Sequence, residues 1–243
     1  MFYRLLARCT TAFVANSREI VSDLQAIGIP EARIHRVPNG VELPSAGLRR
    51  RAHAFGAAPV RFLYFGRLDS EKALDRMIRG FAALGTGPRA RLTIVGEGAC
   101  GADLQALVTR LGIQAHVEFQ PPVADVSRLL READFHVSTS LSEGMSNALL
   151  EAMSWGVPGV VSRVSGVDDI VIDGGSGLVF EPGDDRGYVA ALEAAMAMTD
   201  PAWQAMSQSA AETARRLFAI DVVAERHVAL YSRLLQAQEP VVA

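Results

Sequence analysis

Between residues 142 and 158 the chain reads SEGMSNALLEAMSWGVP, with two carboxylates, Glu143 and Glu151, eight positions apart. An apolar run ending at Ser140 feeds this stretch and predicts a strand, and the Ala, Leu and Met residues from Ser146 onward predict a helix. The amides of Met145, Ser146, Asn147 and Ala148 then lie at a helix N-terminus, where unpaired N–H groups and partial positive charge favour an anion. Carboxylates only accept hydrogen bonds, so Glu143 before the helix and Glu151 within it suit donors such as sugar hydroxyls. Glu151 stands among Leu149, Leu150, Ala152 and Met153, and a carboxylate in apolar company needs a partner. The alternative, an ordinary solvated helix residue, sits poorly with those neighbours.

A second cluster, GRLDSEK from Gly66 to Lys72, directly follows another apolar run. Gly66 permits a close backbone turn, and Arg67 and Lys72 bring two cations to one loop. Such a pair suits a diphosphate, Arg as a planar fork and Lys as a point charge, although in isolation both also read as plain surface cations. On a helix rising 1.5 Å per residue, Glu143 and Glu151 would stand about 12 Å apart. That is close to the span between the two sugar rings of a nucleoside diphosphate-sugar, whose phosphates would face the helix amides. The Gly96-Glu97-Gly98 loop is a weaker signal, because glycine at a strand end is usually a turn. No G-x-G-x-x-G follows the first strand of the series, which argues against a nicotinamide-dependent oxidoreductase. Asp168 and Asp169 are adjacent, their side chains diverge, and they read as a helix start and not as metal ligands. No metal site is expected.

Positioning these loops requires a sheet. Six short apolar runs, at 61–66, 91–96, 116–120, 134–140, 158–162 and 177–180, alternate with stretches of helical periodicity. The pattern predicts an α/β fold, a Rossmann-like parallel six-stranded sheet with helices on both faces, whose ligand sites lie in the strand-to-helix loops. Leu74, Ile78 and Phe81 make one sheet-facing stripe, and Leu104, Leu107 and Leu111 another. Residues 1–45 read as a short β-α-β unit, with strands at 12–15 and 33–37 and a helix from about Ser17, which caps it, with Ile20, Leu24 and Ile27 turned inward. Residues 46–59 read as a linker, 60–200 as the sheet domain, and 201–243 as helices packing back across the molecule.

Composition bounds the rest. With 243 residues, 49% of them hydrophobic, the chain is globular and holds between one and two domains. Against 27 Asp and Glu stand 24 Lys and Arg, so no surplus of positive charge exists for a nucleic-acid backbone. Cys9 and Cys100 alone build no disulfide framework, which suits a reducing cytosol. No run is long and apolar enough to be a transmembrane segment, and Arg8 interrupts the apolar N-terminus that a signal peptide would need. A cytoplasmic location is expected. Arg4 and Arg8 beside Phe2, Tyr3, Leu5 and Leu6 also fit a helix lying at the inner face of the membrane or against a partner domain.

EGMSNALLE resembles the E-x7-E motif of the retaining glycosyltransferases of family 4, the glycosyl transferases group 1, which have the GT-B fold of two facing Rossmann-like domains. Further features stand in the family's order: NSREI at 16–20, VPNGVE at 37–42, FGRLDSEK at 65–72, VGEG at 95–98, ADFHVSTSLSEG at 133–144, EAMSWGVPGV at 151–160 and SGLVFEPGD at 176–184. The resemblance implies that Arg67 and Lys72 bind the diphosphate and neutralise the leaving group. It implies that Glu143 holds donor-sugar hydroxyls, that Met145 to Ala148 give amides to phosphate and sugar, and that Glu151 receives the ribose. It also implies retaining transfer to a glycan, lipid or other acceptor with no required cofactor or metal, the donor's own phosphate helping to deprotonate the acceptor.

Two positions depart from the family pattern. Ala73 stands where glycine is usual, which a helical backbone would tolerate, and Pro121 stands at the glycine position of the F-x-G pattern in the loop after the third strand, which borders the nucleobase in relatives. Family members also carry an N-terminal acceptor domain, of which residues 1–45 match only the last β-α-β, and His35, His53, His116, His136 and His227 match nothing in it. The chain therefore reads as the donor half of a glycosyltransferase, with a non-catalytic nucleotide-sugar-binding module, or one arm of a split enzyme, as the alternative. An exposed apolar face is expected where an N-terminal domain, or a second copy, would dock.

Overall fold

The computed structural model describes residues 7, 9–45, 57–85 and 89–236. Residues 46–56 of the linker expected at 46–59, the N-terminal pattern from Phe2 to Leu6 with Arg8, and His53 lie outside the described residues.

Six strands, β3 (Val60–Phe65), β4 (Ala90–Val95), β5 (Val117–Gln120), β6 (Phe135–Ser138), β7 (Gly159–Ser162) and β8 (Gly177–Phe180), form one parallel sheet in the order β5-β4-β3-β6-β7-β8. Each matches one of the six runs. Strands buried on both faces must be apolar almost throughout, which is why they are legible as short Val, Ile and Phe runs. On one face, Val60, Phe62 and Tyr64 of β3 meet Leu74, Met77, Ile78 and Phe81 of α2 (Leu74–Ala83), together with Leu104 and Leu107 of α3 (Gly101–Arg110) and Tyr188 and Leu192 of α7 (Asp185–Met196). Phe62 stacks on Phe135 with ring centroids 5.8 Å apart. Leu111, expected in the second stripe, is the C-cap of α3 and only partly buried. On the other face, Leu63, Phe65 and Val95 are covered by Leu130 of α4 (Ser127–Glu132) and Ala152 of α5 (Asn147–Ser154), and a further cluster joins α5 to α6 (Val167–Ile170) and Ala210 of α8 (Asp200–Thr213). Trp203 of α8 is fully buried in the main core, its indole N–H donating to the Asp134 carbonyl at 3.0 Å. This helix, which sequence assigns to a C-terminal extension, is part of the sheet unit's core.

The N-terminal unit is thinner. β1 (Phe13–Ala15) and β2 (Ile34–Arg36) pair in parallel, and between them runs α1 (Arg18–Ala26), capped by Ser17, whose Oγ accepts from the Ile20 N–H. Ile20, Leu24 and Ile27 are half-buried where an inward, buried stripe was expected, and α1 holds no buried residue at all. A π-helical turn at Ala214–Phe218 leads into α9 (Ile220–Gln236), which returns to this unit. The Val41 N–H donates to the Phe218 carbonyl, the Ile220 N–H to the Val41 carbonyl, and Val37 packs with Val223 and Leu230. Among the described residues no helix is long and apolar enough to cross a membrane.

Candidate active site

The strand order reverses between β3 and β6, and there the two neighbouring strands send their following loops in opposite directions, opening a crevice at their carboxyl ends. Gly66 to Lys72 leaves β3 and Thr139 to Ser146 leaves β6, so two segments 71 positions apart meet at one edge. The Leu141 N–H donates to the Glu71 carbonyl at 2.9 Å. The buried Thr139 hydroxyl bridges the carbonyls of Lys72 and Ala73, at 3.1 and 3.0 Å.

Those bonds fix the centre of the site. Lys72 Nζ donates to Glu143 Oε1 at 2.5 Å, and the two side chains are only 16% and 15% exposed. The same Oε1 accepts from Ser140 Oγ at 2.9 Å, and Ser140 in turn lies 3.1 Å from Ser138. Glu143 is thus held by a cation and a hydroxyl on one oxygen. Beyond it α5 begins, with Ser146 as N-cap accepting from the Leu149 N–H. The amides of Met145, Ser146, Asn147 and Ala148 have no acceptor among the described residues, as an anion-binding helix start requires.

Arg67 behaves differently. Its side chain is 73% exposed and leans on Asp69 at 3.0 Å, while its carbonyl accepts the buried Tyr64 hydroxyl at 2.7 Å. Burial and the nearby Asp69 and Glu143 charges hold that phenol well above its usual range, so it stays a donor. The structure also explains the glycine loop after β4. A Cβ on Gly96 would come within 1.9 Å of the Gly66 carbonyl oxygen, and one on Gly98 within 2.4 Å of that of Leu68. These glycines let the β4 loop lie directly against the β3 loop, where the Leu68 N–H donates to the Glu97 carbonyl.

Glu151 sits half-buried on α5, and no side chain or amide among the described residues bonds its carboxylate. Burial, then the negative charge of Asp125, raises its pKa. The partner expected for it from its apolar neighbours is not supplied by the described residues. Ala73, tolerable at a glycine position if its backbone is helical, is instead left-handed at φ 47°, ψ 43°, the conformation in which glycine is favoured. Asp168 and Asp169 do start a short helix, but Asp169 also binds Arg18 Nε at 2.8 Å and Arg36 at 2.9 Å, while Asp168 pairs with Arg163. His136 is fully buried on β6 against Phe65, and burial lowers its pKa to about 4.

Sequence reasoning missed Thr139 and Ser140, which lie inside a quoted motif but whose hydroxyls matter only because of what packs on them. It also missed Asn39, which reaches from the N-terminal unit to the start of α5 with its Nδ2 2.8 Å from Asn147 Oδ1. A cavity of about 750 Å³ at the opposite edge of the sheet, lined by Phe81, Leu84, Ile113 and Met196 among others, contains none of these residues.

The chain is 34% identical over 172 residues to the GDP-mannose-dependent alpha-(1-6)-phosphatidylinositol dimannoside mannosyltransferase of Mycobacterium tuberculosis, covering 67% of this chain and 42% of the relative. It is 30% identical over 224 residues to the D-inositol 3-phosphate glycosyltransferase of Nocardiopsis dassonvillei, covering 85% of this chain and 52% of the relative. The chain thus spans about half the length of these curated relatives or less. Among solved structures, the apo lipopolysaccharide outer core galactosyltransferase WaaB aligns with a TM-score of 0.78 at 26% identity, over 92% of this chain and 62% of that one. Anabaena HepE in complex with UDP and glucose aligns with a TM-score of 0.83 at 20% identity, over 95% and 65%, a likeness of fold alone. The family model of the glycosyl transferases group 1 matches residues 59–198, from the first strand of the six-stranded sheet to just past α7, and the chain belongs to that family.

Proposed function

We propose that the chain is the donor-binding part of a retaining glycosyltransferase of family 4 that takes its sugar from a nucleoside diphosphate-sugar. The observation that carries the reading is the Lys72–Glu143 contact beside an unpartnered helix N-terminus, a cation and a carboxylate brought to one point from two loops. In this reading Arg67, Lys72 and the amides of Met145 to Ala148 hold the diphosphate, close to the turn that Gly66 permits. Glu143 offers its second oxygen to donor-sugar hydroxyls, and Glu151 meets the ribose, whose hydroxyls supply the partner it lacks. In transfer, the bond from the anomeric carbon to the diphosphate oxygen breaks, the acceptor oxygen bonds to the same face of the sugar, and the acceptor's proton passes to the departing phosphate. Fixed donors aimed at the charge developing on the diphosphate would supply much of the rate, and the scheme needs no metal.

The names of relatives support the donor class, one being GDP-mannose-dependent and one solved neighbour holding UDP and glucose. They also favour a transferase over the non-catalytic binding module. The acceptor is a glycan, a lipid or another hydroxyl compound, and an N-terminal acceptor domain or partner chain completes the cleft. Val14, Ile220, Val228, Tyr231 and Leu235, exposed on β1 and α9, form the apolar face it would cover, and self-association through that face is the competing arrangement. We place the protein in the cytoplasm, at the inner face of the membrane when its acceptor is a lipid.

Calorimetry with UDP, GDP, their sugar conjugates and NADH tests the donor reading. Nucleoside diphosphates should bind, and Lys72→Ala should weaken them by roughly tenfold or more, since a charge-assisted contact contributes about 1.5–3 kcal/mol. Glu143→Ala should spare the bare diphosphate and weaken only the conjugate, whereas Glu151→Ala should weaken nucleosides as well. Binding of NADH with no response to any sugar nucleotide would overturn the assignment.

A further inference from the structure

Asn39 belongs to the N-terminal unit, yet among the described residues three of its four hydrogen bonds go to the start of α5 and the residue before its cap. Its Oδ1 accepts from Asn16 Nδ2 at 3.1 Å. The two hydrogens of its Nδ2 go to Asn147 Oδ1 at 2.8 Å and to the Met145 carbonyl at 3.4 Å. Its backbone N–H donates to the Met145 sulfur at 3.3 Å. Three of these four bonds end on Met145 and Asn147, two of the residues whose amides are free. The helix itself is only eight residues long, and its Ser146 cap ties down Leu149, not the segment that precedes the helix. Gly144 and Met145 are held on one side by Gly166, whose backbone lies directly against them, and by the buried cluster that takes the Met145 side chain, and on the other side by Asn39.

We propose that Asn39 is a positioning residue of the donor site. By holding Met145 and Asn147 it aims the amides of Met145 to Ala148 at the phosphates, without touching the ligand. The proposal rests on the donor-site reading above. Its physical basis is that an amide donor binds an anion well only when its direction is fixed beforehand, because hydrogen bonds weaken steeply as the donor angle opens. A carboxamide suits the task, since one planar group can accept from one segment and donate to two others at once. Asparagine offers both functions without bringing a negative charge to a site meant for phosphate, as aspartate would.

The test compares paired ligands, UDP with uridine and GDP with guanosine, on the full chain by calorimetry, with thermal melts as a check of folding. Asn39→Ala should weaken the diphosphate roughly fivefold while leaving the nucleoside unchanged, the size expected for losing about one well-made amide–phosphate hydrogen bond. Asn147→Ala removes the same 2.8 Å bond from the other side and should do the same; it carries the test if Asn39→Ala does not fold. The double variant should be no worse than Asn39→Ala alone, because that change already removes the bond that Asn147→Ala removes. Equal loss of nucleoside and diphosphate, no loss of either, or additive losses would overturn the role. A wild-type chain that binds neither diphosphate would instead overturn the donor-site reading, and this role with it.

Discussion

The six-stranded sheet unit and the β1-α1-β2 unit share one strand-helix rhythm, but they hold together in different ways. In the sheet unit both faces of the strands are covered, and side chains such as Trp203, Phe62 and Met77 are almost wholly buried. The N-terminal unit has two strands of three residues and a helix with no buried residue. It is tied to the loops of the sheet unit by polar contacts, Arg18 and Arg36 on Asp169, Ser17 on Ser165, and Asn39 on Met145 and Asn147, and to α9 by a small apolar contact through Val37. A unit too small for its own core takes its order from docking. Here the surface it docks on includes the loop that carries Glu143.

The largest effect that would sharpen this contrast is core truncation. Trp203→Ala should cost about 3–5 kcal/mol through its cavity and the lost bond to the Asp134 carbonyl, whereas Ile20→Ala in the N-terminal unit should cost about 1 kcal/mol. Urea midpoints for the two variants check this, and similar costs would erase the distinction.

Acid should expose the sheet unit's other dependence. Burial lowers the pKa of His136 from 6.5 to about 4, only partly offset by the Leu63 backbone, so the unfolded chain takes up a proton that the folded chain refuses. Above pH 6.5 the residue is neutral in both states and contributes no pH dependence. As pH falls from 6.5 towards 4 stability should drop, by up to about 3 kcal/mol in all. His136→Leu should remove that share of the slope, read from denaturation midpoints at successive pH values; an unchanged slope would show that His136 is not the group responsible.

Asp169→Ala should act on the N-terminal unit alone. Its carboxylate side chain is 5% exposed between two arginines that reach into solvent, so the global cost should be modest, about 1 kcal/mol. Hydrogen exchange should rise in β1 and β2 and stay unchanged in β3 and β6. Uniform acceleration throughout would mean that the two units open as one.

The smallest effect, and of opposite sign, is expected at Ala73. An L-residue in the left-handed region carries strain of roughly 1 kcal/mol, part of which returns as chain entropy and lost burial when it becomes glycine. Ala73→Gly should therefore stabilise by about 0.5 kcal/mol, and Ala73→Val should destabilise, in thermal melts.

What was legible in the sequence follows from locality. Each strand is buried on both faces and so reads as a short apolar run, and Ser17 and Ser146 announce their helices because an N-cap bonds an amide three positions ahead. The same holds for the stripe of Leu74, Ile78 and Phe81, whose spacing matches one helix face. The depth of burial was not legible for α1, since its apolar spacing is that of any amphipathic helix and only the missing cover leaves Ile20, Leu24 and Ile27 half-exposed. Nor was the backbone of Ala73, because alanine carries no signal for a left-handed turn.

The candidate site divides in the same manner. Residue types and short spacings by themselves determined the six strands, the helix start after Ser146, and the cations and carboxylates available at the strand ends. Which of these meet was decided by the tertiary structure. Lys72 and Glu143 come together only because β3 and β6 are neighbours at the point where strand order reverses, and Thr139 locks their loops only in that register. Asn39 faces Asn147 across 108 positions because α9 and the Val41 bridge bring the N-terminal unit back onto the sheet. Local sequence encodes what a segment can form, since propensity and capping act within a few residues. Pairing between distant segments depends on sheet order and on the burial available to the whole chain, quantities that no short stretch contains.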